Sequence, residues 1–169
     1  MHIGRILALV GVVLGIGGLV MKGATSDAEE LLPDLSQVAP VPDGISTIWG
    51  GLETWAQVVV VIAIIVVIVL AVRPPIKQPE DRISSLGTAV IGVGLLAYAI
   101  VKLMEASDDV DALEAGLAAL AEAGAIPVAF TVDVGVGFYV LILGTALVAI
   151  GGVLGLIGSS SKSDEPGTA

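Results

Sequence analysis

The sequence predicts an all-α integral membrane protein: four transmembrane helices in a glycine-seamed bundle, with two short amphipathic helices outside the bilayer. Three observations predict it. Four apolar runs approach the length of about 20 residues that crosses a bilayer, in a chain that is 56% hydrophobic with a mean hydropathy of +1.01. Glycines recur on a seven-residue beat, at Gly137, Gly144, Gly151 and Gly158 in the last run and at Gly4, Gly11 and Gly18 in the first. A heptad keeps one side of a helix facing its partner as the two wind together, and glycine on that side lets backbones approach closely. The charges, 17 acidic against 7 basic for a net of -10, are crowded between the apolar runs.

The first span is expected over 3–21, with Arg5 at its start and a Gly-x-x-x-Gly pair at Gly11 and Gly15 on the same face. Its outline is that of a secretory signal, but Lys22 occupies the position where cleavage after Ala24 wants a small residue, so the segment is read as a retained span. In the polar connection that follows, Ser26 and Glu29 have the spacing of a capping box, which predicts a short helix over 27–38. Leu31, Leu32, Leu35 and Val38 would form its apolar face, with Pro33 weakening it and Pro40 and Pro42 stopping it.

The second span, 55–72, is almost wholly valine, isoleucine and leucine from 58 onward and contains no glycine. Nothing on it brings backbones close, which predicts the most lipid-exposed helix, with Trp49 and Trp55 in the interfacial belt. The prolines at 74, 75 and 79 make the next connection short and stiff. The third span, 83–104, has Ser84 or Ser85 as a cap, glycines at Gly87 and Gly94, Tyr98 near its far end and Lys102 able to snorkel outward.

A second external helix is expected over 108–123. Ser107 is a natural cap, Asp108, Asp109 and Asp111 suit the positive end of the helix dipole, and Gly124 marks the stop. Val110, Leu113, Leu117 and Leu120 share one face, which would cover the apolar face of the first external helix or meet a partner. The fourth span follows over 134–158, with Asp133 near its start and Phe138 and Tyr139 near its interface. Together residues 1–158 form the membrane domain, and 159–169 is expected as a disordered cytoplasmic tail.

The positive-inside rule puts Arg5, Arg73, Lys77, Arg82 and Lys162 on one side and Lys22 and Lys102 on the other, so both termini are expected in the cytoplasm and the acidic connections outside. The halves also share a pattern at a spacing of about eighty residues, with Lys22 near Lys102 and Ser26-Asp27 against Ser107-Asp108. Duplication would make them parallel two-span repeats.

Little chemistry is available. Cysteine is absent and the one histidine is His2, which removes thiolate and bis-histidine sites and redox sulfur chemistry. Asp108, Asp109, Asp111 and Glu114 lack the glycine and alternating spacing of a calcium loop. The middles of the spans carry no ionisable side chain, which argues against a proton-coupled carrier. Thr88 and Thr145 are expected to bond to their own helix backbones. No basic patch exists for nucleic acid, and the acidic excess is of the kind met in chains exposed to high salt. No catalytic set, cofactor, metal site or small-molecule substrate is evident. The expectation is a non-enzymatic structural or accessory subunit of a membrane assembly or envelope, homo-oligomeric or part of a larger complex in the lipid bilayer. The competing expectation is an oligomeric channel or small-solute permeation protein.

Overall fold

The computed structural model describes residues 3–27, 29–37, 42–72, 82–126 and 130–160. In chain order these form α1 (Ile3–Val20), β1 (Ala24–Ser26), α2 (Leu32–Leu35), α3 (Ile48–Gly51), α4 (Thr54–Val72), α5 (Arg82–Glu122), β2 (Val132–Val134) and α6 (Val136–Ser160). The helices α1, α4, α5 and α6 are long and apolar enough to cross a membrane. For α4 this is a matter of solvent rather than propensity. Its valines and isoleucines lose side-chain freedom in a helix, but in a medium without water the backbone has to satisfy its own hydrogen bonds, and within one segment only a helix does so.

Neighbours in the bundle run antiparallel. A Cβ built on Gly4 would meet the carbonyl of Gly151, and one built on Gly18 the carbonyl of Gly137, so α1 and α6 lie head to tail. Gly92 against Ala149 and Gly152 against Ala89 set α5 alongside α6 in the same way. Gly87 meets Leu70, bringing the end of α4 to the beginning of α5. Helix α6 therefore packs between α1 and α5, and α4 closes the ring on the remaining side. That last helix is held by a narrow strip, Ala56, Val60, Val67 and Ala71, while Val58, Val59, Ile62, Ile65 and Val69 face outward.

Helices α1 and α5 end, and α4 and α6 begin, at the same end of the bundle. There a β-pair ties the chain together, with Ala24, Thr25 and Ser26 opposite Val134, Asp133 and Val132. The Ser26 hydroxyl donates to the Thr131 carbonyl at 2.9 Å, and the Thr131 hydroxyl donates to Asp27 at 3.1 Å. Gly23 N–H donates to Ser46, Ile48 N–H to Met21 and Gly135 N–H to Gly23, which fasten the 42–52 segment and the head of α6 to the end of α1. Gly135 is required here: a Cβ would fall on the Lys22 carbonyl and the Gly23 backbone.

The third span and the second amphipathic helix, expected as separate elements with a cap at Ser107, are one helix of 41 residues. At 1.5 Å per residue α5 is about 60 Å long, twice the roughly 30 Å of bilayer hydrocarbon. The capping residues Ser107 and Asp108 lie inside it because no glycine or proline between Met104 and Val110 gives the chain reason to leave the helix. Its stop is at Gly124, whose φ of +73° lets Ala125 N–H donate to Leu120 and Gly124 N–H to Ala121.

The other expected external helix, 27–38, shrinks to the single turn of α2. Two causes act. Ser26, the expected cap, is taken into the β-pair, and Pro33 is tolerated only within the first turn, so the helix starts just before it. Residues 28 and 38 lie outside the described residues. The two Ser-Asp pairs that align at about eighty residues consequently occupy different structures, a strand end followed by a turn and the middle of a helix. Helix α6 begins at Val136 rather than 134, since Val134 is in β2, and it runs on through Ser159 and Ser160. The tail, 161–169, and the 73–81 connection lie outside the described residues.

Candidate functional site

The glycines of the heptad do not share one environment. At Gly11 a Cβ would stand 2.5 Å from the Gly144 carbonyl, and at Gly144 it would stand 2.4 Å from Gly15 N and 2.7 Å from the Gly11 carbonyl. At Gly4 and Gly18 it would meet Gly151 and Gly137 at 2.6 and 2.7 Å, and at Gly151 it would meet Gly4 at 2.4 Å. Gly137 faces Met21, Gly18 and Ile48. A Cβ on Gly15 itself, or on Gly94, would meet nothing within 4 Å, and Gly87 touches only the end of Leu70. Gly158 is half-buried in the last turns of α6.

Sequence reasoning missed Gly92 and Gly152, which fall off the seven-residue beat yet approach Ala149 and Ala89 backbone at 2.5 and 2.3 Å. The signal was present in α5 as small residues at Ser85, Ala89, Gly92 and Ala99, all buried, at spacings of three, four and seven. It missed Arg5 as well. Read as a charge flanking the first span, Arg5 lies in the first turns of α1 and is 2% exposed, near the end opposite the β-pair. The buried threonines satisfy themselves locally, Thr88 donating to Ser84 O and Thr145 to Leu141 O and Ile142 O.

The residues expected on the external face separate into two groups. Leu35, Val110 and Leu117 are buried with Ile126 and Val132, and Leu113, Leu120, Phe130 and Val134 pack around them. This cluster joins the projecting part of α5 to α2 and β2. Leu32 is fully buried outside that cluster, and Leu31 is exposed. Pairing of the two leucine faces is thus carried by Leu35, while the β-pair supplies the rest of the cover.

Beside that cluster lie two neighbouring spaces. The outer is a cleft of about 550 Å³ between the 42–52 segment, α5 and the head of α6. Ile45, Ile48, Leu52 and Phe138 form its apolar wall; Lys102, Glu105 and Asp109 are its charged side chains. Lys102 is paired with Glu105 at 2.5 Å and lies 5.9 Å from the centre of the Tyr98 ring. The inner space is a cavity of about 40 Å³ on the bundle axis, lined by α1, α4, α5 and α6. Ile48, Leu52 and Lys102 border both. Val12, Val67 and Val148, which also line this cavity, pack together in one buried cluster. Tyr98 is among the residues that line the cavity, and its hydroxyl is buried with no hydrogen-bond partner among the described residues. Its ring meets Trp55 edge to face at 6.4 Å.

Comparison with known protein families, with characterised proteins and with solved structures finds no match for this chain.

Proposed function

We propose that the protein is a non-enzymatic multi-pass membrane protein serving as a structural or accessory subunit of a membrane assembly or envelope, with the glycine heptad as its internal seam. The observation that carries this reading is the approach of α6 to two helices at backbone distance, to α1 through Gly144 and Gly151 and to α5 through Gly152. Helices in lipid gain little from hydrophobic association and associate through such packing, which makes a stiff and permanent unit. Permeation is less well supported. A water path needs polar groups along the full depth of the bundle, and the packing of Val12, Val67 and Val148 against one another in its interior supplies none there.

The basic residues Arg5, Arg73, Lys77, Arg82 and Lys162 orient the chain with both termini in the cytoplasm, so that the β-pair, the cleft and the second half of α5 lie outside. The projecting part of α5 then offers Asp108, Asp111 and Glu114 to solvent or to a basic partner. In intact cells, cysteine at Ser36 or Ala118 is expected to react with an impermeant thiol reagent, and cysteine at Gln78 is expected to stay unlabelled. The native chain has no cysteine to interfere. Labelling at 78 alone would invert the orientation.

Native mass spectrometry after extraction in a mild detergent tests the subunit reading. A homo-oligomer or a defined complex with another membrane protein is expected, and a strictly monomeric species with nothing copurifying would defeat it. Vesicles containing the purified protein are expected to show ion and solute fluxes equal to those of empty vesicles.

A further inference from the structure

The geometry of the outer cleft points to a binding site for a small monovalent organic cation, its charged end beside Asp109 and its apolar body against Ile45, Ala106 and Leu113. The site does not depend on the subunit role proposed above. At about 550 Å³ the cleft falls within the range of small-molecule sites, roughly 300–1,000 Å³. A single turn of helix, about 10–12 Å across and about 5.4 Å tall, would fill it alone, so the space suits a small molecule rather than a folded segment.

The wall is built in advance. The 42–52 segment is fastened to the end of α1 by Gly23 N–H donating to Ser46 O and Ile48 N–H to Met21 O, and the Thr47 hydroxyl accepts from Gly50 N–H at 3.1 Å. Ile48, Leu52 and Phe138 are buried at the back of the cleft, and Ile45, Ala106 and Leu113 are half-buried on its surface. A preformed apolar wall holds a ligand by area at little cost in ordering, and the few polar groups beside it orient what binds.

The charge comes from α5. Lys102, Glu105 and Asp109 fall on one side of that helix at spacings of three and four, and all three are among the residues lining the cleft. Lys102 is paired with Glu105 at 2.5 Å. Asp109, one turn or about 6 Å farther out, is exposed and makes no ion pair among the described residues. Two carboxylates against one ammonium leave the outer part of the cleft negative, which repels an anion and attracts a cation. Because Asp109 is open to water, a cation beside it keeps part of its own hydration, and the cost of burying a bare charge does not arise. Trp55 and Tyr139, exposed at the heads of α4 and α6, mark the membrane boundary at this end, so the cleft opens at the level of headgroups and water.

The test uses the full chain in lipid nanodiscs and three probes sharing one ring system: 1-naphthylmethylamine, protonated at neutral pH, 1-naphthylmethanol and 1-naphthylacetate. Equilibrium dialysis, with empty nanodiscs subtracted, measures their binding. Saturable binding of the amine at no more than one per chain is expected, tighter than that of the alcohol by about two- to fivefold and weakened by salt, as for an ion pair partly open to solvent. The acetate is expected to bind weakest. Asp109→Asn is expected to remove the preference for amine over alcohol, and Lys102→Met, which leaves Glu105 uncompensated, to enlarge it by a similar factor. Ile45→Ser is expected to weaken both probes alike, since both lay the same ring against that wall. Asp111→Asn, on the other side of α5, is expected to change neither. Comparing amine-to-alcohol ratios between proteins cancels the partitioning of the probes into lipid. An absence of saturable binding, an amine bound no more tightly than the alcohol, a ratio unchanged in both Asp109→Asn and Lys102→Met, or equal effects of Asp109→Asn and Asp111→Asn would each overturn the proposal.

Discussion

Gly144→Ala is expected to destabilise the purified protein, and Gly94→Ala to stabilise it, although both replace a glycine in the middle of a membrane-spanning helix. At Gly144 the new methyl group would lie 2.4 Å from Gly15 N and 2.7 Å from the Gly11 carbonyl. Both are main-chain atoms of a helix and cannot turn aside as a side chain can. Helices α1 and α6 have to separate, and every contact along their length weakens together, because dispersion falls away within an ångström. Overpacking of this kind costs about 1–3 kcal/mol, and Gly144→Leu more. At Gly94 the methyl group meets nothing within 4 Å, and alanine is favoured over glycine in a helix by about 0.5–1 kcal/mol. Thermal unfolding of the two variants in one detergent measures the difference. A Gly144→Ala variant as stable as the native protein or more so would show that the α1–α6 approach does not hold the bundle together.

Leu117→Asp is expected to open the β-pair end of the molecule while leaving the four spans in the membrane. Leu117 is fully buried in the cluster that joins α5 to Leu35, Ile126 and Val132. Truncating such a side chain costs about 2–5 kcal/mol; a carboxylate at the same position also has to be hydrated, and the cluster opens to let water reach it. Hydrogen exchange is expected to accelerate by at least a hundredfold in the amides of β1 and β2 and along α5 beyond Lys102, corresponding to about 3 kcal/mol. Exchange within α4, and protection of the spans from protease, are expected to be unchanged. Leu31→Asp, at a position 40% exposed, is the matched control and is expected to be nearly silent. Equal exchange in both variants would mean that the cluster does not hold that end closed.

Much of the fold was legible because the bilayer imposes a length on each apolar run, and four runs gave four helices. The remainder turned on local competition that composition does not display. Ser107 and Asp108 are cap-forming residues, but a cap forms where a helix has reason to begin, and Met104, Glu105 and Ala106 carry α5 straight through them. The β-pair is three residues long on each side, too short for alternation to be seen in Ala24, Thr25 and Ser26 or in Val132, Asp133 and Val134. For the site, the heptad drew the eye to Gly94, which meets nothing, and away from Gly92, which meets the Ala149 backbone. One helix carries two packing faces, and a single period describes only one of them. Tyr98 was visible merely as an aromatic near the far end of the third span. That it is among the residues lining a cavity, with its hydroxyl buried, follows from four helices at once and is written in no one segment.

The contact between α1 and α6 also sets an order in time. Ser26 and Thr131, which help fasten the two helices, are 105 residues apart. At the pace of synthesis, about 5–20 residues per second, α1 stands in the membrane for on the order of ten seconds before its partner exists. During that interval its glycine face is open to lipid and to any other helix with small residues. Chains held together by neighbours in sequence can fold as they emerge; this one closes only when its sixth helix arrives and seats against the first. A ribosome stalled before Val136 therefore leaves the face of α1 at Gly4, Gly11 and Gly18 without the helix that covers it.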